Sequence, residues 1–185
     1  KAVGYTPAED FTVKAADGAT DLWGVMYKPY DFDPHKKYPV LEFIYAGPQI
    51  ITAKHLFAVN QFRSLNMVWA LAQLGYIVVS LDARGTPGRS KAFQDVVYGA
   101  WGVNEISDHA GAIRQLCERH SWMDGSRVGI TGHSWGGYFS TCALIQAPDV
   151  YHAAVSTAPA YDPWDANLYE PYFDLPQKNR AAYEH

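Results

Sequence analysis

From Tyr38 onward, apolar runs of strand length alternate with stretches whose apolar residues recur at helical spacing. Tyr38–Tyr45 is apolar apart from Glu42 and reads as a buried strand. Phe57 to Leu74 carries Leu65, Val68, Trp69 and Ala72 at helical intervals, with Gly75 as its stop. Tyr76–Leu81 is the next buried strand. The segment Asp82-Ala83-Arg84-Gly85-Thr86-Pro87-Gly88 then reads as a loop. Glu105 to His120 is amphipathic, with Ile106, Ala110, Ile113 and Cys117 on one face. Arg127–Thr131 is a short strand, Gly136 to Ala147 a helix stopped by Pro148-Asp149, and Ala153–Thr157 a further strand. Ahead of this series, Phe11–Lys14 and Leu22–Lys28 read as a strand pair around a turn at Asp17-Gly18.

Strand–helix alternation of this kind predicts an α/β fold with right-handed crossovers and a mostly parallel, doubly wound sheet. The opening pair adds antiparallel N-terminal strands. In open sheets of this type ligands bind at the carboxyl ends of the strands. The loops after Tyr45, Leu81, Thr131 and Thr157 are therefore expected to converge on one site.

Composition narrows the partners. The chain has 185 residues, 48 % of them hydrophobic and 18 % charged, with a net charge of −4. That is enough for one domain with a core. No basic stripe is present, which argues against nucleic acid. No apolar run approaches the ~20 residues of a membrane span. Cys117 and Cys142 fall among apolar neighbours in helical stretches and read as buried free thiols without metal spacing. No metal or cofactor is expected.

Gly132-His133-Ser134-Trp135-Gly136-Gly137 holds a G-x-S-x-G pattern between a strand and a helix. Alone the pattern is weak. In that context it predicts a nucleophile elbow, a sharp turn that projects Ser134 from the sheet while flanking glycines avoid collision. The helix that follows aims its dipole and first N–H groups where negative charge develops in acyl transfer. Tyr45-Ala46-Gly47-Pro48 follows the first parallel strand, where a second oxyanion donor arises in this architecture. The Tyr45 hydroxyl and the Trp135 backbone N–H are thus the candidate pair.

Taken together these motifs resemble the catalytic domain of the prolyl oligopeptidase family of serine peptidases, and its dipeptidyl peptidase IV branch in particular. The resemblance rests on five stretches. They are Asp17-Gly18 through Leu22–Pro29, the Tyr45-Ala46-Gly47-Pro48 loop, the D-x-R-G segment Asp82–Gly85, the elbow through Tyr138, and Ala158-Pro159 with the aromatics beyond. It implies an α/β-hydrolase fold and peptide substrates cleaved through an acyl-enzyme on Ser134, with a preference for proline- or alanine-type residues before the scissile bond. It also implies that Trp164, Tyr169 and Tyr172 line the pocket for that residue. The family's amine-binding acidic pair sits on a separate N-terminal β-propeller, which is expected in the full protein and not in these residues. A homodimer and a periplasmic or extracellular setting are compatible with the resemblance. An esterase or lipase of the same fold, or a non-catalytic binding module, are the alternatives.

A serine nucleophile needs a histidine base oriented by a carboxylate, and in this fold both follow it in sequence. Only Ala153–Thr157 reads as a strand beyond the elbow. Asp162, Asp165 and Asp174 are not followed by a strand and histidine, and Asp82 has Arg84 beside it as an ion-pair partner. His133 reads as a residue that packs or supports the site from behind, and His152 lies near the start of a strand, while His55, His109 and His120 precede the serine. The expectation is a hydrolase domain truncated before its last strands. Acid and base would then lie beyond residue 185, and this chain alone would show no turnover.

Overall fold

The computed structural model describes residues 6–53, 64–161 and 177–184. Strands β1 (Glu9–Lys14) and β2 (Asp21–Tyr27) form the expected antiparallel pair. Phe11 and Val13 turn inward while Thr12 and Lys14 face out, the period of two that one buried face demands. The turn is fixed by Asp17, whose carboxylate accepts from the N–H groups of Ala19 and Thr20 and from the Thr20 hydroxyl.

Then come β3 (Tyr38–Phe43), α1 (Ser64–Gln73), β4 (Ile77–Asp82), α2 (Lys91–Gln94), α3 (Asn104–Arg119), β5 (Met123–His133), α4 (Trp135–Gln146) and β6 (Ala153–Thr157). The sheet order is β1-β2-β4-β3-β5-β6. β2 meets β4 antiparallel, and the β4/β3, β3/β5 and β5/β6 pairs are parallel. All six residues of β4 are buried, as a central strand covered on both faces requires.

Alternation along β3 sorts the two layers. Val40 and Ile44 enter the main core with Ile106, Ile113 and Phe139 of α3 and α4. Phe43 packs on the opposite face with Val68 and Ala72 of α1 and Val78 of β4. The chain is thus wound on both faces of the sheet, as the sequence predicts. Gly75, at φ 95°, ends α1 as expected. The predicted start of that helix, from Phe57, lies outside the described residues.

Three features depart from the sequence expectation. β5 is longer than Arg127–Thr131, because Met123 and Asp124 already pair with Tyr38 and Pro39 before the register jumps at Pro39/Val40. The polar residues between are a side-chain-stabilised bulge: Asp124 accepts from Ser126 and Arg127. The loop after β4 contains α2 and a 3₁₀ turn at Asp95–Val97, too short to leave a periodic signature. Arg84 does not pair with Asp82. It grips Asp108 of α3 through Nε and Nη2 at 2.9 and 2.8 Å and reaches Asp17 at 2.9 Å. Asp82 instead accepts from the Thr52 N–H and hydroxyl at 2.7 and 3.0 Å. Cys117 and Cys142 are free and half-buried, and burial pushes the Cys117 thiol up to about 11.

Candidate active site

Three adjacent strands end in strained turns at the same end of the sheet. β3 runs out through Ile44 and Tyr45 into Ala46, at φ 56°. β5 ends at His133 and delivers Ser134 at φ 58°, ψ −117°. β6 ends at Thr157 and is followed by Ala158 at φ 43°. Ala46, Ser134 and Ala158 are the only non-glycine residues with positive φ among the described residues. Each such conformation costs about 1–3 kcal/mol and persists only where the surroundings over-determine it.

Backbone packing supplies that determination. The Ser134 N–H donates to the Thr157 carbonyl at 2.9 Å, and the Ile44 N–H to that of Thr131 at 3.0 Å. A Cβ on Gly132 would stand 2.4 Å from the Ile44 oxygen and 2.5 Å from the Gly136 carbonyl. One on Gly136 would stand 2.2 Å from that same Ile44 oxygen and 3.2 Å from the Tyr45 Cα. One on Gly137 would meet the Thr157 oxygen at 2.8 Å. The glycines therefore let strand β3 and the end of β6 close onto the elbow. The sequence argument had them clearing space around the serine itself.

Ser134 is half-buried, and its hydroxyl does not cap the helix it precedes. α4 begins directly after it, so Trp135 presents its N–H from a helix N-terminus. Tyr45, also half-buried, lies on the strand end that the elbow glycines touch. The structure thus brings the segments of Ser134, Trp135 and Tyr45 together. Trp164, Tyr169 and Tyr172 lie outside the described residues, as do Asp162, Asp165, Asp174, His55 and His185.

Sequence reasoning missed Trp101. Its ring packs 4.8 Å from that of Trp135 and 5.8 Å from that of Phe139. It also closes on Gly47, where a Cβ would sit 3.2 Å from it. The available signal was an aromatic–glycine pair, Trp101-Gly102, just ahead of a helix.

The described histidines are engaged elsewhere or turned outward. His109 is fully buried, with Nδ1 2.6 Å from Glu42 Oε1. His120 stacks on Trp122, and burial holds its pKa below the usual histidine range. The His152 ring accepts from the Val128 N–H at 3.3 Å. His133 is exposed, which rules against packing, one of the two roles read for it. No group of metal-ligating side chains occurs among the described residues, and no described helix is long and apolar enough to cross a membrane. An apolar cleft of about 510 Å³ lies over β3, β5 and β6, but neither Ser134, Tyr45 nor Trp135 lines it.

A mixed sheet of this order, wound on both faces, with a serine at a strained turn between β5 and α4, defines an α/β-hydrolase fold. The model of the prolyl oligopeptidase family matches residues 60–184, and the chain belongs to that family. It is 38 % identical to dipeptidyl peptidase 8 of Homo sapiens over 181 residues, which is 97 % of this chain and 20 % of that protein. It is 34 % identical to prolyl endopeptidase FAP of Mus musculus over 169 residues, 90 % of this chain and 21 % of that one. The solved structure of a dipeptidyl aminopeptidase IV-type protein from Bacteroides ovatus superposes with a TM-score of 0.85 at 30 % identity, covering 98 % of this chain and 26 % of that chain. The chain spans about a fifth of the length of these curated relatives.

Proposed function

We propose that these residues carry the nucleophile of a serine peptidase. The observation that carries the reading is Ser134 held at φ 58° immediately ahead of α4, on a turn with no room for a methyl group at Gly132 or Gly136. In this reading the Ser134 oxygen adds to the peptide carbonyl carbon. The oxyanion is received by the Trp135 N–H and the Tyr45 hydroxyl, and collapse expels the amine and leaves an acyl-enzyme for water to hydrolyse. A donor of this type contributes about 3 kcal/mol to the transition state. The acid and base come from outside the described residues, because no described histidine hydrogen-bonds Ser134. Trp164, Tyr169 and Tyr172 would wall the pocket for the residue before the scissile bond. The finer substrate reading, dipeptide release after proline or alanine, is supported by the relatives, described as dipeptidyl peptidases and a prolyl endopeptidase.

Fluorophosphonate labelling tests the core of this reading. The full-length protein is expected to label at Ser134, and the label is expected to vanish in Ser134→Ala and to be absent from the 185-residue chain alone. Labelling at another residue would remove Ser134 from the mechanism. Tyr45→Phe is expected to lower kcat on a Gly-Pro anilide about 100-fold with KM little changed. Faster turnover of short acyl esters than of peptide anilides would favour the esterase alternative.

A further inference from the structure

The inner face of α3 carries three fully buried polar side chains, Glu105, Asp108 and His109, in a position the periodicity assigns to core. Asp108 is accounted for by Arg84. The other two have no such structural partner on the hairpin side, and each leads towards the candidate site.

His109 pairs with Glu42 at 2.6 Å, and the Tyr151 hydroxyl donates to the second Glu42 oxygen at 2.5 Å. All three residues are essentially inaccessible to solvent. Glu42 is on β3, three positions before Tyr45 and two before Ile44, whose carbonyl the elbow glycines abut. Glu105 accepts from the Gly102 N–H at 3.1 Å. That bond fixes the residue next to Trp101, and the Trp101 ring packs against both Gly47, two residues after Tyr45, and Trp135. One helix therefore grips the Tyr45 segment from its strand side and the Trp135 segment through Trp101.

Glu105 Oε1 and His109 Nε2 make no hydrogen bond among the described residues, and both are buried, one helical turn apart. A buried polar network left partly unsatisfied is less stable than a well-packed apolar replacement. Local rules of this kind are broken chiefly at functional sites.

We propose that Glu105 and His109 are positioning residues that hold the two oxyanion-donor segments, Tyr45 through the Glu42 pair on β3 and Trp135 through Gly102 and Trp101, at a fixed separation. The proposal rests on the serine-peptidase reading for its catalytic consequence. Its physical content, the clamping of two segments, does not. A misplacement of about 1 Å in such a site costs on the order of 100-fold in rate.

The test uses the full-length protein with Glu105→Leu, Glu105→Gln and His109→Leu, assayed well below their unfolding temperatures. Glu105→Leu and His109→Leu are expected to lower kcat roughly 10- to 100-fold with KM within twofold. Glu105→Gln, which keeps an acceptor for Gly102, is expected to restore kcat to within about threefold. Amide hydrogen exchange at Ala46 and Trp135 is read in parallel, without substrate. It is expected to accelerate at both positions in Glu105→Leu and at Ala46 in His109→Leu. Lower thermal stability with unchanged kcat and unchanged exchange at those two amides would overturn the proposal. A wild-type protein without Ser134-dependent hydrolysis would defeat the functional reading, while the exchange data would still decide the clamp.

Discussion

The elbow and the inner face of α3 lie in one core and are held by opposite means. At the elbow, backbone meets backbone: the Ile44 carbonyl lies where a Cβ of Gly132 or Gly136 would be, and no charge is involved. Beneath α3, side-chain charge is brought out of water and matched: Arg84 on Asp108, His109 on Glu42. The first arrangement tolerates no added atom and is indifferent to pH. The second depends on protonation. The elbow thus gets its geometry from contacts that cannot titrate, and on the proposed clamp its alignment with neighbouring segments comes from contacts that can.

Two substitutions break the comparison from either side. Gly136→Ala is expected to have the larger effect. Its Cβ would meet main-chain atoms of Ile44 and Tyr45 that cannot swing aside, so the elbow must open. A loss of at least about 3 kcal/mol in urea unfolding is expected, together with loss of fluorophosphonate labelling in the full-length protein. Asp108→Ala comes next. It leaves the Arg84 guanidinium, whose side chain is only 14 % exposed, with Asp17 alone, and leaves the Ala16 N–H without its acceptor. Breaking a fully buried pair costs about 3–5 kcal/mol, and partial access to water brings the expectation here to roughly 2–3 kcal/mol. Thermal unfolding of the two variants ranks them. A neutral Gly136→Ala would mean that the elbow is held by something other than close backbone contact.

The two regions also differ in how far the sequence disclosed them. The elbow was legible because its physics is local: a strand, a serine between glycines, then a helix. The order of elements likewise gave the doubly wound sheet. The inner face of α3 was not legible. Ile106, Ala110 and Ile113 were correctly placed inward, but the same helical period also carries Glu105 and His109 inward. A polar residue on a buried stripe becomes interpretable only when its partner is known, and Glu42 is 67 residues away from His109 in sequence. Asp82 and Arg84 show the same limit. Their proximity in sequence suggested a pair, yet Asp82 is taken up by Thr52, and the true partner of Arg84 is on α3. Trp101 escaped because its loop has no periodicity, and Trp164, Tyr169 and Tyr172, the aromatics the resemblance assigns to a pocket, lie outside the described residues.

The pH dependence of stability is the smallest effect expected and the one that most sharply separates the two regions. Burial raises the Glu105 carboxyl from the ordinary glutamate range to about 8. Burial alone would lower His109, but the charge and hydrogen bond of Glu42 outweigh it, and its pKa is raised. Tyr151, pushed well above its ordinary value by burial and by Glu42, remains a neutral donor. The groups facing His109 are Glu42 from β3 and Glu105 and Asp108 from α3 itself. Both shifts have the same sign. Over the window in which an unfolded glutamate and histidine have released their protons, the folded protein retains them, so stability must fall as pH rises. His109 contributes fully below about 6.5 and loses its contribution as pH climbs through the raised value. Glu105 loses its contribution progressively between about 4.5, where an unfolded glutamate releases its proton, and about 8, where the folded one does, and the loss levels off above that. One proton of difference is worth 1.36 kcal/mol per pH unit, so a decline of about 1–2 kcal/mol between pH 6 and 7 is expected in urea unfolding. Glu105→Gln should flatten that slope while leaving the elbow intact. A slope unchanged in Glu105→Gln and in His109→Gln would place the titrating groups elsewhere in the protein. A stability that rose with pH would mean that the cluster beneath α3 holds fewer protons in the folded state than its burial requires.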